Sequence, residues 1–78
     1  MEIPLAMLNE DVEARIVKVL GGKGLVKRLS DLGFTPGAKV KILLSKGFGP
    51  MVVDVRGSRI ALGRGILMKI IVTPEVDS

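Results

Sequence analysis

The chain has 78 residues, 47% of them apolar and only two aromatic, Phe34 and Phe48, with neither cysteine nor histidine, so disulfides, thiolate chemistry, imidazole bases and most transition-metal sites are excluded at once. A chain of this length is expected to form one domain, 1–78, burying about 60% of its unfolded surface and leaving no room for a large cleft. Its formal charge of +4 hides an asymmetry: Glu2, Glu10, Asp11, Glu13, Glu75 and Asp77 sit at the ends, while all twelve bases fall between Arg15 and Lys69, opposed there only by Asp31 and Asp54, a local net of +10.

In chain order, "IPLAMLNED" reads as a short arm or turn, too short and broken for a signal peptide or a membrane span, so the expected location is cytoplasmic. "EARIVKVL" is dense in β-branched residues and reads as a strand ending at "GGKG". From Gly22 the period changes. Leu25, Leu29 and Leu32, with Val26, form the apolar stripe of a helix whose other side carries Lys23, Lys27, Ser30 and Asp31, and Gly33 stands at its left-handed stop.

"FTPG" sets Pro36 and Gly37 at the centre of a type II turn. Beyond it Ala38, Val40, Ile42 and Leu44 alternate with Lys39, Lys41 and Ser45, which predicts a half-buried strand with a basic outer face. "KGFGP" is a connection. In "RGSRIALGRG" a II′ turn at Gly57-Ser58 predicts a hairpin in which Arg56 faces Arg59 and Val55 faces Ile60, with Val53, Val55, Ile60 and Leu62 toward the core. "GRGILM" then predicts a tight corner or single helical turn, and "KIIV" a closing strand. About five short strands and one inserted α-helix give a mainly β fold, a small, partly open barrel.

Catalytic signatures are missing. The phosphate-loop pattern fails at Gly22-Lys23, the dinucleotide fingerprint fails after Gly22, Gly47 and Gly63, no serine has a histidine partner, and Asp31 and Asp54 belong on exposed faces. The run Glu10, Asp11 and Glu13 is the single candidate for a hard cation and reads as a solvated acid run at a strand entry. The sequence therefore predicts no catalytic residue, no metal site and no cofactor. What it offers is charge: Arg56, Arg59 and Arg64 of the hairpin and corner, with Lys23 and Lys27 of the helix, form a candidate cationic surface for a macromolecular partner. Nucleic acid is the alternative partner. It is disfavoured because single-strand recognition uses exposed aromatic platforms, and tyrosine and tryptophan are absent.

The order "GG" (21 to 22), "RLSDLGFTPG" (28 to 37), "GP" (49 to 50) and "IALGR" (60 to 64), closing on "KIIV", resembles the FeoA family of ferrous iron transport proteins over roughly Leu5 to Val72. The resemblance implies an SH3-like β-barrel, also found in DtxR-like repressors, acting as a non-enzymatic accessory protein beside the membrane ferrous iron transporter FeoB at its cytoplasmic side. It carries Gly21, Gly22, Gly33, Pro36 and Gly37 as turn positions, Arg28 and Leu29 as helix positions and Ala61 to Arg64 as the barrel corner. Two departures stand out: Asp11 occupies the place of a usual glycine, and "GILM" after Arg64 leaves Ile66, Leu67 and Met68 in need of cover.

Overall fold

A computed structural model describes residues 1–75. Its elements are β1 (Ile3–Pro4), a 3₁₀ turn (Leu5–Met7), β2 (Glu13–Val19), α1 (Lys23–Asp31), β3 (Lys39–Leu44), β4 (Met51–Val55), β5 (Ser58–Leu62), α2 (Arg64–Leu67) and β6 (Ile70–Pro74). They form one antiparallel sheet of six strands in the order β1-β6-β2-β3-β4-β5. The sheet curls around its core without closing, so β1 and β5 are its two edges. The sixth strand is the Ile3–Pro4 arm, and the corner after Gly63 is the helical turn α2.

The turn chemistry explains the chain path. Gly33, at φ 105°, ends α1 in a Schellman motif: its N–H donates to the Ser30 carbonyl at 2.9 Å and that of Phe34 to the Leu29 carbonyl at 2.8 Å. Leu29 and Phe34, the two residues this motif brings together, are both buried in the core. Gly37, at φ 87°, completes the type II turn, in which the Ala38 N–H donates to the Thr35 carbonyl at 3.0 Å.

The core joins the inner face of the sheet to α1, α2 and the 3₁₀ turn: Leu5, Ile16, Leu29, Phe34, Val40, Ile42, Met51, Val53, Val55, Leu67, Ile70 and Val72 are all buried. Each such aliphatic side chain contributes about 1.5 to 3 kcal/mol of transfer free energy. Leu67 is fully enclosed and Ile66 packs partly on the core, so most of the apolar corner finds cover within the chain, while Met68 stays half exposed.

Two expected core positions lie outside it. Leu44 is 43% exposed because the β3–β4 register shifts between Ile42 and Leu44, and the extra residue breaks the two-residue alternation. Leu32 is 45% exposed because it is the C-cap of α1, where the chain already leaves the helical path.

The β4–β5 hairpin also corrects the sequence reading. Its turn is Arg56-Gly57, not Gly57-Ser58, and both central residues have positive φ, 53° and 87°, as a type I′ turn requires. The closing pair is Val55 and Ser58, and Asp54 stands opposite Arg59. Arg56 and Arg59 are therefore not cross-strand neighbours. The observed register removes a like-charge pair, sets opposite charges face to face and lets Asp54 Oδ1 accept the Gly57 N–H at 3.1 Å. It differs from the expected pairing by two residues, one full side-chain period, so Val53, Val55, Ile60 and Leu62 keep the inner face.

Candidate docking surface

The twist of the hairpin places Arg56 at its tip in the left-handed region, a conformation that costs an ordinary L-residue about 1 to 2 kcal/mol. Its side chain leans toward the C-terminal end of α1: a methyl group on Gly33 would sit 3.6 Å from Arg56 Cδ. A cation there is favourable, because the last carbonyls of a helix carry partial negative charge. Arg59 lies on the outer face of β5, exposed. Neither arginine makes an ion pair with another described residue.

The outer face of the sheet is not uniformly basic. Straight across it run Arg59, Asp54, Lys41 and Glu13, one from each of β5, β4, β3 and β2, so that charges alternate along the row. Next to that row, Lys39 Nζ stands 3.7 Å from Glu13 Oε2, and Arg15 Nε donates to Glu75 Oε1 at 2.6 Å. Such exposed pairs contribute at most about 1 kcal/mol each, but they neutralise the middle of the face. At the hairpin end Arg56 has no acid across from it, and Arg59, although opposite Asp54, makes no ion pair with a described residue.

The five predicted bases fall in three places. Arg56 and Arg59 share the hairpin end. Lys23 and Lys27 lie on α1, where Lys27 Nζ reaches Asp31 Oδ2 at 3.4 Å and Lys23 opens the helix. About 12 Å of helix separates Lys23 from the α1 C-terminus beside which Arg56 lies, and ahead of the helix Lys69 lies against Gly21, its Cδ 3.8 Å from where a methyl group on that glycine would be. Arg64 stands at the other end of β5, half buried, and its guanidinium donates to Ser45 Oγ at 3.2 Å and to the Gly47 carbonyl at 2.8 Å. It ties α2 to the β3–β4 connection.

Three contributions were not read from the sequence. Arg15 donates to the Gly37 carbonyl at 3.0 Å as well as to Glu75, so it fastens the type II turn to the end of β6. Ser45 is held twice, by Arg64 and by Glu10 Oε2, which accepts its N–H at 2.7 Å. Asp54 closes the hairpin turn. These partners lie three, 19, 22, 35 and 60 positions apart, and apart from the Asp54 to Gly57 spacing no local pattern announces them. The acid run is dispersed: Glu10 is bound to Ser45, Glu13 faces Lys39, and Asp11 takes φ 67° at the turn into β2. That φ gives a reason for a glycine at this position. Among the described residues no three acidic side chains converge on a point that could hold a metal ion, and no helix is long and apolar enough to cross a membrane.

A small antiparallel barrel with a helix between its strands, turns fixed by glycine and charge confined to the surface defines a compact SH3-like domain. A solved structure of Stenotrophomonas maltophilia FeoA complexed with zinc, described as an SH3 domain protein, has this fold, with a TM-score of 0.78 at 24% identity over 94% of this chain and 89% of that one. The family model described as the FeoA domain matches residues 3–74, and the chain belongs to the FeoA family. It is 39% identical over 69 residues to a Methanocaldococcus jannaschii protein named "Putative Fe(2+) transport protein A", covering 88% of this chain and 83% of that protein. A crystal structure of an iron uptake regulatory protein, FeoA, superposes with a TM-score of 0.90 at 32% identity, covering 96% of this chain and all of that one. The family is one of small accessory proteins of ferrous iron transport, not of enzymes.

Proposed function

We propose that this protein is a cytoplasmic, single-domain adaptor of ferrous iron uptake that docks on the cytoplasmic part of a FeoB-like transporter and modulates it without chemistry of its own. Arg56 and Arg59 form the centre of the contact, Lys23 and Lys27 extend its field along α1, and Arg64, at the far end of β5, adds charge there while holding the β3–β4 connection in place. The family supports the iron-transport setting. Zinc is named for the Stenotrophomonas maltophilia protein, but the donor set of this chain does not fit a zinc site: it has no histidine or cysteine, and its described acids are dispersed.

The observation that carries the proposal is the backbone of Arg56. The first central residue of a type I′ turn is best filled by asparagine, aspartate or glycine, yet an exposed arginine occupies it at φ 53° with no ion-pair partner among the described residues. A residue kept where its backbone is strained supports a role for its side chain in something other than folding. Arg56→Asn creates the favoured Asn-Gly turn and is expected to stabilise the domain by about 0.5 to 1 kcal/mol, raising the melting midpoint by roughly 2 to 8 °C. The same variant is expected to bind the cytoplasmic part of FeoB more weakly, by a factor of about five to ten. Higher stability with undiminished binding would remove Arg56 from the contact.

A further inference from the structure

The two edges of the sheet are managed differently. β1 is two residues long and contains Pro4, which has no N–H to offer. β5 is a run of five residues, Ser58–Leu62, in unbroken register with β4 and with no proline or bulge. In a hairpin with a two-residue loop the closing pair exchanges both hydrogen bonds, so the bonds to β4 come from Ser58, Ile60 and Leu62. The N–H and C=O groups of Arg59 and Ala61 then point along the free edge, and no backbone or side-chain partner stands against them among the described residues.

We infer that the β5 edge is a strand-addition site for an extended acidic segment of a partner protein. An incoming strand would take the Arg59 and Ala61 backbone bonds and alternate its side chains between the two faces of the sheet. On the outer face it meets Arg59 and, at the turn, Arg56, neither ion-paired to a described residue. On the inner face it meets Ile60 and Leu62, which are only half buried. The segment that fits alternates aspartate or glutamate with an aliphatic residue. A second copy of this chain is the poorer occupant, because it would bring together two central stretches that each carry a net +10. The inference rests on the docking proposal only for the partner's identity.

The test is amide hydrogen exchange on the full chain with an acetylated, amidated peptide of alternating glutamate and valine as probe. Protection of the Arg59 and Ala61 amides is expected to rise at least about tenfold, and a lysine-valine counterpart is expected to leave them unchanged. Ala61→Pro, which removes an outward N–H at a position where an edge strand tolerates proline, is expected to weaken the glutamate-valine peptide by about tenfold. Arg59→Glu provides a second variant that leaves the backbone groups in place, with a similar loss expected. Unchanged exchange at both amides, equal protection by the lysine peptide, or protection that appears on raising protein concentration alone would overturn the inference. Repeating the exchange with the cytoplasmic part of FeoB separates the two readings. Protection elsewhere but not at Arg59 and Ala61 removes the edge site and leaves docking, whereas no protection by FeoB beside a positive peptide result removes docking and leaves the edge site.

Discussion

Replacing Phe34 by alanine is expected to destabilise the domain by about 3 to 5 kcal/mol, the cost of removing a buried phenyl ring and leaving a cavity. Phe34 is 1% exposed and is the single buried aromatic side chain of the chain. It also follows the glycine that ends α1, so the same ring fills the core and fixes how the helix leaves it through the bond from its N–H to the Leu29 carbonyl. In a domain of this size the loss corresponds to a fall in melting midpoint of roughly 12 to 40 °C, and it removes a large share of a total stability of about 5 to 15 kcal/mol. Thermal unfolding followed by circular dichroism checks it, with Phe34→Leu as a milder comparison. A drop below about 5 °C for the alanine variant would show that the core does not depend on the ring.

The double reversal Arg56→Glu with Arg59→Glu is expected to weaken binding to the cytoplasmic part of FeoB at least a hundredfold, or about 2.7 kcal/mol. The effect is large because these two arginines are exposed and make no ion pair with a described residue, so the charge offered at the hairpin end changes sign. Asp54, opposite Arg59, would then face a like charge, costing a few tenths of a kcal/mol. The melting midpoint is therefore expected to move by only a few degrees while binding is lost. Affinity measured by calorimetry beside a thermal melt separates the two quantities. Intact affinity in a folded double variant would place the contact elsewhere.

What the sequence predicted best is what neighbouring residues decide. The α1 stripe, its glycine stop and the Pro36-Gly37 turn depend on residues within about one turn of one another, and the structure has all three except for the last stripe residue, the exposed Leu32. The observed hairpin turn lies one residue from the expected one because Gly57-Ser58 satisfies a local turn rule better than Arg56-Gly57 does. The choice falls to a longer-range term, the placing of Asp54 rather than Arg56 opposite Arg59. Periodicity places Leu44 in the core because it carries no sign of a bulge, which arises from how two strands pair. The site shows the same division. Composition pointed to a cationic surface and to Arg56 and Arg59 within it, whereas the fixing of Arg64 to Ser45 and Gly47 spans 19 and 17 positions, and the charge alternation across four strands needs the register to be known.

We propose that the domain works by offering positive charge to the transporter. The most direct measurement is a titration of the unmodified protein with the purified cytoplasmic part of FeoB at low, physiological and high ionic strength. We expect saturable binding at low salt that weakens steadily as the screening length falls from about 30 Å to about 3 Å. No binding at the lowest ionic strength, or an affinity indifferent to salt, would contradict it.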